Sequence, residues 1–368
     1  MRHIIVLTLL ITPLAAAAQL AAAPPASGAL QASNLLNPNV SVIGWLQGEA
    51  GRRHTDPGIT APAAMQLKEA EVGFQAVVDP YARADFFISF GEGKVDLEEG
   101  YISWFTLPRD LALKAGKFRA DLGRFNRTHP PETAFADRPL VHERFLGDEG
   151  LSGTGAALSW QVPNPWSLVT WDVNVITPPA AADSPAFDTG RRRDLLYVTR
   201  LNGYYDLSEM VNVTAGGSYA YGPAGQEFNT VTSSSKTLTS QVGGLDLTFR
   251  WKNPRRAVYR SAFWQTEVLW DRRDAAADSA VGSWGMFSHL EYQFAQRWRS
   301  GVRGDYTLLP ADGSKHEAGA LAYLTFTPSE FSAISLQGRQ ARKSDGVKET
   351  LGFLKVTLNI GPHGAHPF

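Results

Sequence analysis

The chain has 368 residues, no cysteine and a formal net charge of −1. It therefore has neither a disulfide framework nor a thiolate metal site, and it lacks the basic surface that a nucleic-acid partner requires. Nineteen Phe, eleven Tyr and ten Trp stand beside only four Met and 34 Gly, a profile that suits a barrel with aromatic girdles.

The N-terminus reads as an export signal. Arg2 and His3 precede an apolar run from Ile4 to Ile11, a break at Pro13 and then Ala16, Ala17 and Ala18. Positive charge, hydrophobic stretch and small residues in that order mark a secretory signal peptide. Removal of residues 1–18 is expected, leaving 19–37 as a short segment ahead of the first strand. No later stretch is long and apolar enough for a membrane-spanning helix.

From residue 38 one kind of element repeats. The stretch LKEAEVGFQAVVDPYARADFFISF at 67–90 alternates apolar and polar residues on both sides of Asp79-Pro80. Val72, Phe74, Ala76 and Val78 point one way, as do Phe86, Ile88 and Phe90 after the turn, while Glu69, Glu71, Gln75, Arg83 and Asp85 point the other. One face suits hydrocarbon and the other water, and the runs exceed the usual soluble strand.

Sixteen strands are predicted, near 38–50, 66–79, 81–91, 95–106, 111–118, 153–162, 167–177, 193–206, 210–221, 238–251, 257–271, 283–294, 298–307, 316–327, 332–342 and 349–360. Short turns at 79–80, 107–108, 163–165, 207–209, 253–254, 295–296 and 328–329 alternate with longer polar segments near 51–65, 119–152, 178–192, 222–237, 272–282, 308–315 and 343–348. Only 92–94 breaks that rhythm. The predicted fold is all-β, a transmembrane antiparallel barrel of about sixteen strands over 38–360, with short periplasmic turns and long external loops. Trp104, Trp166, Trp251 and Trp298 fall beside short turns, where an indole prefers the headgroup level. The tail 361–368 ends in Phe368, but Pro362 and Pro367 separate that aromatic from the last strand.

The stretches NVSVIG at 39–44, EVGFQAVVDPYARADFF at 71–87, EEGY at 98–101, LKAGKF at 113–118, DRPLV at 137–141, GDEGL at 147–151 and the ending GPHGAHPF together resemble a family of bacterial outer-membrane proteins. That family is often labelled zinc-regulated, TonB-dependent outer-membrane receptors, and it is similar to phosphate-selective and general porins. The resemblance implies an outer-membrane barrel. The receptor label fits less well, because residues 19–37 leave no room for a plug domain ahead of the first strand.

Residues 119–152 form the longest gap between strands and mix charges with aromatics and prolines, as a loop folded into a lumen must. Arg119, Arg124 and Arg127 are its candidate selectivity residues. On the wall, Arg83, Asp85, Glu99, Lys114, Asp246, Arg250, Arg299, Arg303 and Asp305 are expected to face inward, with Arg299 and Arg303 meeting water beside the loop carboxylates. Neither sign dominates, so weak ion selectivity is expected. The zinc label directs attention to His129 and His142 as metal ligands, since imidazole binds zinc well; the spacing by itself is equally that of structural histidines.

No G-x-S-x-G, P-loop, HExxH or dinucleotide fingerprint occurs, so no catalytic residue, enzyme activity or cofactor is expected. The functional expectation is a porin-like channel for passive diffusion of small hydrophilic solutes or ions. The alternatives are a zinc- or phosphate-specific channel and a non-conducting adhesion or scaffold barrel. Outer-membrane lipid is the expected partner, and a homotrimer is one assembly the sequence allows.

Overall fold

The computed structural model describes residues 38–53, 60–177, 186–188, 194–229, 234–253, 260–275 and 279–361. The expected signal peptide, residues 19–37 and residues 362–368, with Phe368, lie outside them.

Sixteen strands form one closed antiparallel barrel. They are β1 (Asn39–Arg53), β2 (Thr60–Asp79), β3 (Ala82–Gly91), β4 (Lys94–Leu107), β5 (Leu111–Arg119), β6 (Ser152–Val162), β7 (Leu168–Ile176) and β8 (Leu196–Ser208). The circuit continues through β9 (Val211–Asn229), β10 (Ser234–Lys252), β11 (Ser261–Ala275), β12 (Ser279–Ala295), β13 (Trp298–Leu309), β14 (Asp312–Ser329), β15 (Ser332–Arg342) and β16 (Lys348–Ile360). Closure is made by β1, in which Val42 pairs with Val72 on one side and Ile360 on the other. Every strand has two neighbours, so no edge of unpaired amides is left for hydrocarbon to meet.

The alternation explains the pairing. On the outer face Phe74 lies opposite Phe86, and Val72 opposite Ile88, the cross-strand apolar contacts that fix register. The first tight turn is made by Asp79, whose carboxylate accepts the Tyr81 N–H at 2.7 Å; aspartate favours turns through this local bond. Trp166 and Trp298 stand exposed beside short turns.

The long-loop end departs from expectation. Residues 222–237 and 272–282 were expected to be loops, yet β9 runs on to Asn229, β10 begins at Ser234, β11 reaches Ala275 and β12 starts at Ser279. At 308–315 the expected loop shrinks to Pro310 and Ala311 between β13 and β14, tightened by the Ser314 N–H and Oγ–H donating to Asp312 Oδ1 at 3.2 and 2.6 Å. Polar residues satisfy a ladder beyond the membrane as well as a loop, so composition there does not report where pairing stops.

Candidate functional site: the segment inside the barrel

The chain between β5 and β6 contains short 3-10 turns at Phe125–Arg127 and Pro130–Glu132 and one helix, α1 (Leu140–Leu146). Its neck is closed by the Ala120 N–H donating to the Leu151 carbonyl at 2.9 Å. Asn126, fully buried, ties both sides: its amide donates to the Ala120 and Leu151 carbonyls at 2.9 Å, and its oxygen accepts the Leu151 N–H at 2.8 Å.

From that neck the segment touches the wall on every side. Asp121 accepts from Asn174 on β7 at 2.9 Å, and the Gly123 N–H donates to Ser218 on β9 at 3.1 Å. Glu267 on β11 accepts the Phe125 N–H at 2.6 Å and pairs with His142 Nε2 at 3.0 Å. Arg303 on β13 donates to Asp137 at 3.0 Å, and Arg339 on β15 reaches Asp137 at 3.1 Å. Arg144 donates to Glu317 on β14 at 2.9 Å. The Gln337 amide donates to the Ala134 carbonyl and its oxygen accepts the Ala136 N–H, both at 2.9 Å. Lys355 on β16 donates to the carbonyls of Thr133 and Phe135 at 2.7 and 2.9 Å. A segment bonded to β7, β9, β11 and β13–β16, and through His129 to β2 and β4, lies within the ring they form.

Its centre is apolar. Leu122, Phe125, Phe135, Val141, Phe145 and Leu146 pack with inward-facing Phe118, Ile176, Leu196, Val242, Leu269, Phe287 and Leu321 in one buried cluster. Phe125 meets the Phe287 ring edge-on at 5.4 Å and the His142 ring at 5.0 Å. Over the end of α1 the Ala186 N–H donates to the Phe145 carbonyl at 3.1 Å, and Phe187 is fully buried there. Burying these side chains favours docking by roughly 1.5–3 kcal/mol each.

The two candidate histidines sit in separate settings. His129 Nδ1 lies 2.7 Å from Glu71 Oε2 and 3.1 Å from Glu98 Oε2, and its Nε2 lies 3.3 Å from Glu99 Oε2. Burial and nearby Arg119 disfavour its charged form, but Glu71 and Glu98 prevail and hold the imidazole protonated well above its ordinary range. His142 has only Glu267 beside Nε2, and its Nδ1 is buried with no hydrogen-bond partner. Burial pulls it down, against the opposing pull of Glu267, so it rests as a neutral imidazole donating through Nε2. The two do not converge on a common point.

The other candidates divide by exposure. Arg119 is buried, pairs with Glu98 at 2.6 Å, and donates through Nη1 to the Glu149 carbonyl. Asp246 is buried against Arg200 at 2.5 Å. Asp85 accepts from Arg83 at 2.7 Å, Lys114 lies over the Tyr101 ring at 4.3 Å, and Arg250 over Phe263 at 5.4 Å. Burial lowers Arg124 to about 10, with Arg250 adding repulsion. Arg127, half exposed, lies 3.3 Å from Asp121. Glu99 accepts the Arg119 N–H at 2.5 Å. The expectation that Arg299 and Arg303 both meet water fails for Arg303. Its side chain is 0% exposed, lodged between Asp137, Asp305 at 2.8 Å and the Phe135 ring at 4.4 Å, whereas Arg299 is 45% exposed. Asn126, Glu267 and Gln337 carry no sequence signal, because single polar residues on an inward face are ordinary in a water-lined barrel.

A closed sixteen-stranded barrel with a segment folded into its lumen defines the class: the fold is that of the outer-membrane porins. The structure is similar to OprB of Pseudomonas putida (TM-score 0.63, 9% identity, covering 88% of this chain and 94% of that one) and to the anion-selective porin of Comamonas acidovorans (TM-score 0.58, 9% identity, 88% and 100%). It is likewise similar to the outer-membrane channel DcaP of Acinetobacter baumannii (TM-score 0.56, 10% identity, 88% and 98%). In sequence it is 29% identical over 354 residues to an uncharacterized protein of Aquifex aeolicus, covering 87% of this chain and 73% of that one. No family model matches. The zinc-regulated, TonB-dependent label gains no support, since sixteen strands make a porin barrel and such transporters have twenty-two.

Proposed function

We propose that the protein is a porin-like channel of the bacterial outer membrane, passing small hydrophilic solutes or ions passively, with residues 120–151 narrowing the lumen. The observation that carries this reading is the closed barrel whose polar inward face is bonded to that segment on so many strands. The outward apolar face, including Leu245, Leu290, Val302 and Leu336, is exposed and suits lipid. Arg83, Lys114, Arg124, Arg127, Arg250 and Arg299 are the wall and segment charges offered to passing ions; Arg303, paired with Asp137 and Asp305, and Arg119, through the Glu149 carbonyl, hold the segment, while Asp246 pairs with Arg200 within the wall. No enzymatic role is proposed. A homotrimer would seat three outward faces together; light scattering in detergent reads the mass, three chains supporting it and one rejecting it.

Liposome swelling tests the channel reading. Vesicles containing the protein should swell in small sugars and fall off with solute size, and the deletion of Thr128–Asp137 should raise the size limit. Absence of swelling with both proteins, each folded and inserted, rejects the channel.

A further inference from the structure

Where the inner segment meets β2 and β4, four carboxylates, Glu69, Glu71, Glu98 and Glu99, gather around two cations, Arg119 and His129. Two of these acids, Glu69 and Glu98, line one cavity within hydrogen-bonding reach of each other. Like charges so near need a proton or a cation between them. Glu69 is only 8% exposed, and its Oε1 is buried with no hydrogen-bond partner among the described residues. Oxygens in that state are costly unless something fills the place.

We propose that Glu71, Glu98 and His129, with Glu69 beside them, form a binding site for a divalent first-row transition-metal ion. Glu71, Glu98 and His129 each offer one ligand atom, all within 4.8 Å of one another. The present spacings of 2.7 and 3.1 Å from Nδ1 to the two carboxylate oxygens are close to the roughly 3 Å that separates neighbouring ligands on bonds of about 2.0–2.2 Å. One imidazole among carboxylates selects a transition ion over Mg²⁺ or Ca²⁺, which take oxygen alone. In the metal-free protein the Nδ1 proton occupies the place of the ion; binding displaces that proton, and the Glu99 carboxylate against Nε2 holds the ring in position as outer partners of metal-bound histidines do. A cavity of about 120 Å³ lined by Glu69, Glu98, Lys117, Arg119 and Glu149 adjoins the cluster. The ion would cross-link the inner segment to the wall, a role independent of whether the barrel conducts.

The test is calorimetric titration of Co²⁺ or Mn²⁺ into the purified, chelator-treated barrel in detergent, with folding of each variant verified by far-UV circular dichroism. The wild type should bind one ion per chain, unaffected by excess Mg²⁺. His129→Gln and Glu71→Gln should each weaken binding at least about tenfold, Glu69→Gln should weaken it while leaving the His129 contacts intact, and His316→Gln, on exposed β14, should leave it unchanged. No saturable binding by the wild type, or wild-type affinity in the folded His129→Gln and Glu71→Gln proteins, overturns the proposal.

Discussion

Single residues decide whether the inner segment stays docked. Arg303, itself fully buried, neutralises Asp137 and Asp305, and breaking a buried pair from one side leaves charge uncompensated at about 3–5 kcal/mol. Arg303→Ala is therefore expected to free the segment and raise single-channel conductance, while Arg299→Ala, on a half-exposed side chain, should only shift the reversal potential modestly toward cations at low salt. Phe125→Ala removes a ring packed on Phe135, Phe287 and His142 and should weaken docking by about 3–5 kcal/mol, read as faster proteolysis within 120–151. Protonation acts through His142. Its value in the docked state lies below the ordinary 6.5, so its stabilising contribution is complete above about pH 6.5 and is lost as pH falls toward the depressed value. Glu132, raised by burial to about 7, works in the opposite direction. Recording wild type and His142→Gln between pH 7 and 5 separates the two, and the variant is expected to lack the acid-induced release component.

At the scale of elements, the sequence makes the strands legible and the interior much less so. Alternation from Glu69 to Phe90 places a hairpin whose outward pairs the structure reproduces, since hydrocarbon outside and water inside impose period two. The apolar lining behind α1 is harder to read. Leu269, Phe287 and Leu321 face inward among polar neighbours such as Glu267, His289 and Glu317, and the only local sign is paired apolar residues, Leu269-Trp270 and Met286-Phe287, that interrupt the alternation. The partners of His129 leave no local sign for another reason: Glu71 and Glu98 lie on β2 and β4, both paired to β3, and only the inward fold of the segment brings His129 onto them. Gly123 marks the entry of the segment. Its φ of +71° is in the left-handed region, and a Cβ there would lie 2.6 Å from Glu267 Oε2. Gly123→Ala should thus displace Glu267 from the Phe125 N–H and speed amide exchange at Phe125, without altering exchange in β13–β16.

For the whole molecule, closure and filling are separate achievements. The ladder of sixteen strands satisfies the backbone without help from the lumen, so the inner segment can be altered while the barrel stands. That separation makes a channel reading testable by changing only what lies inside. The most direct measurement is single-channel recording in planar bilayers of the wild type and of the protein lacking Thr128–Asp137. Discrete conductance steps from the wild type, larger in the deletion, are the predicted result. Inserted wild-type protein that gives no steps, or a folded deletion whose conductance equals the wild type, would contradict a lumen narrowed by residues 120–151.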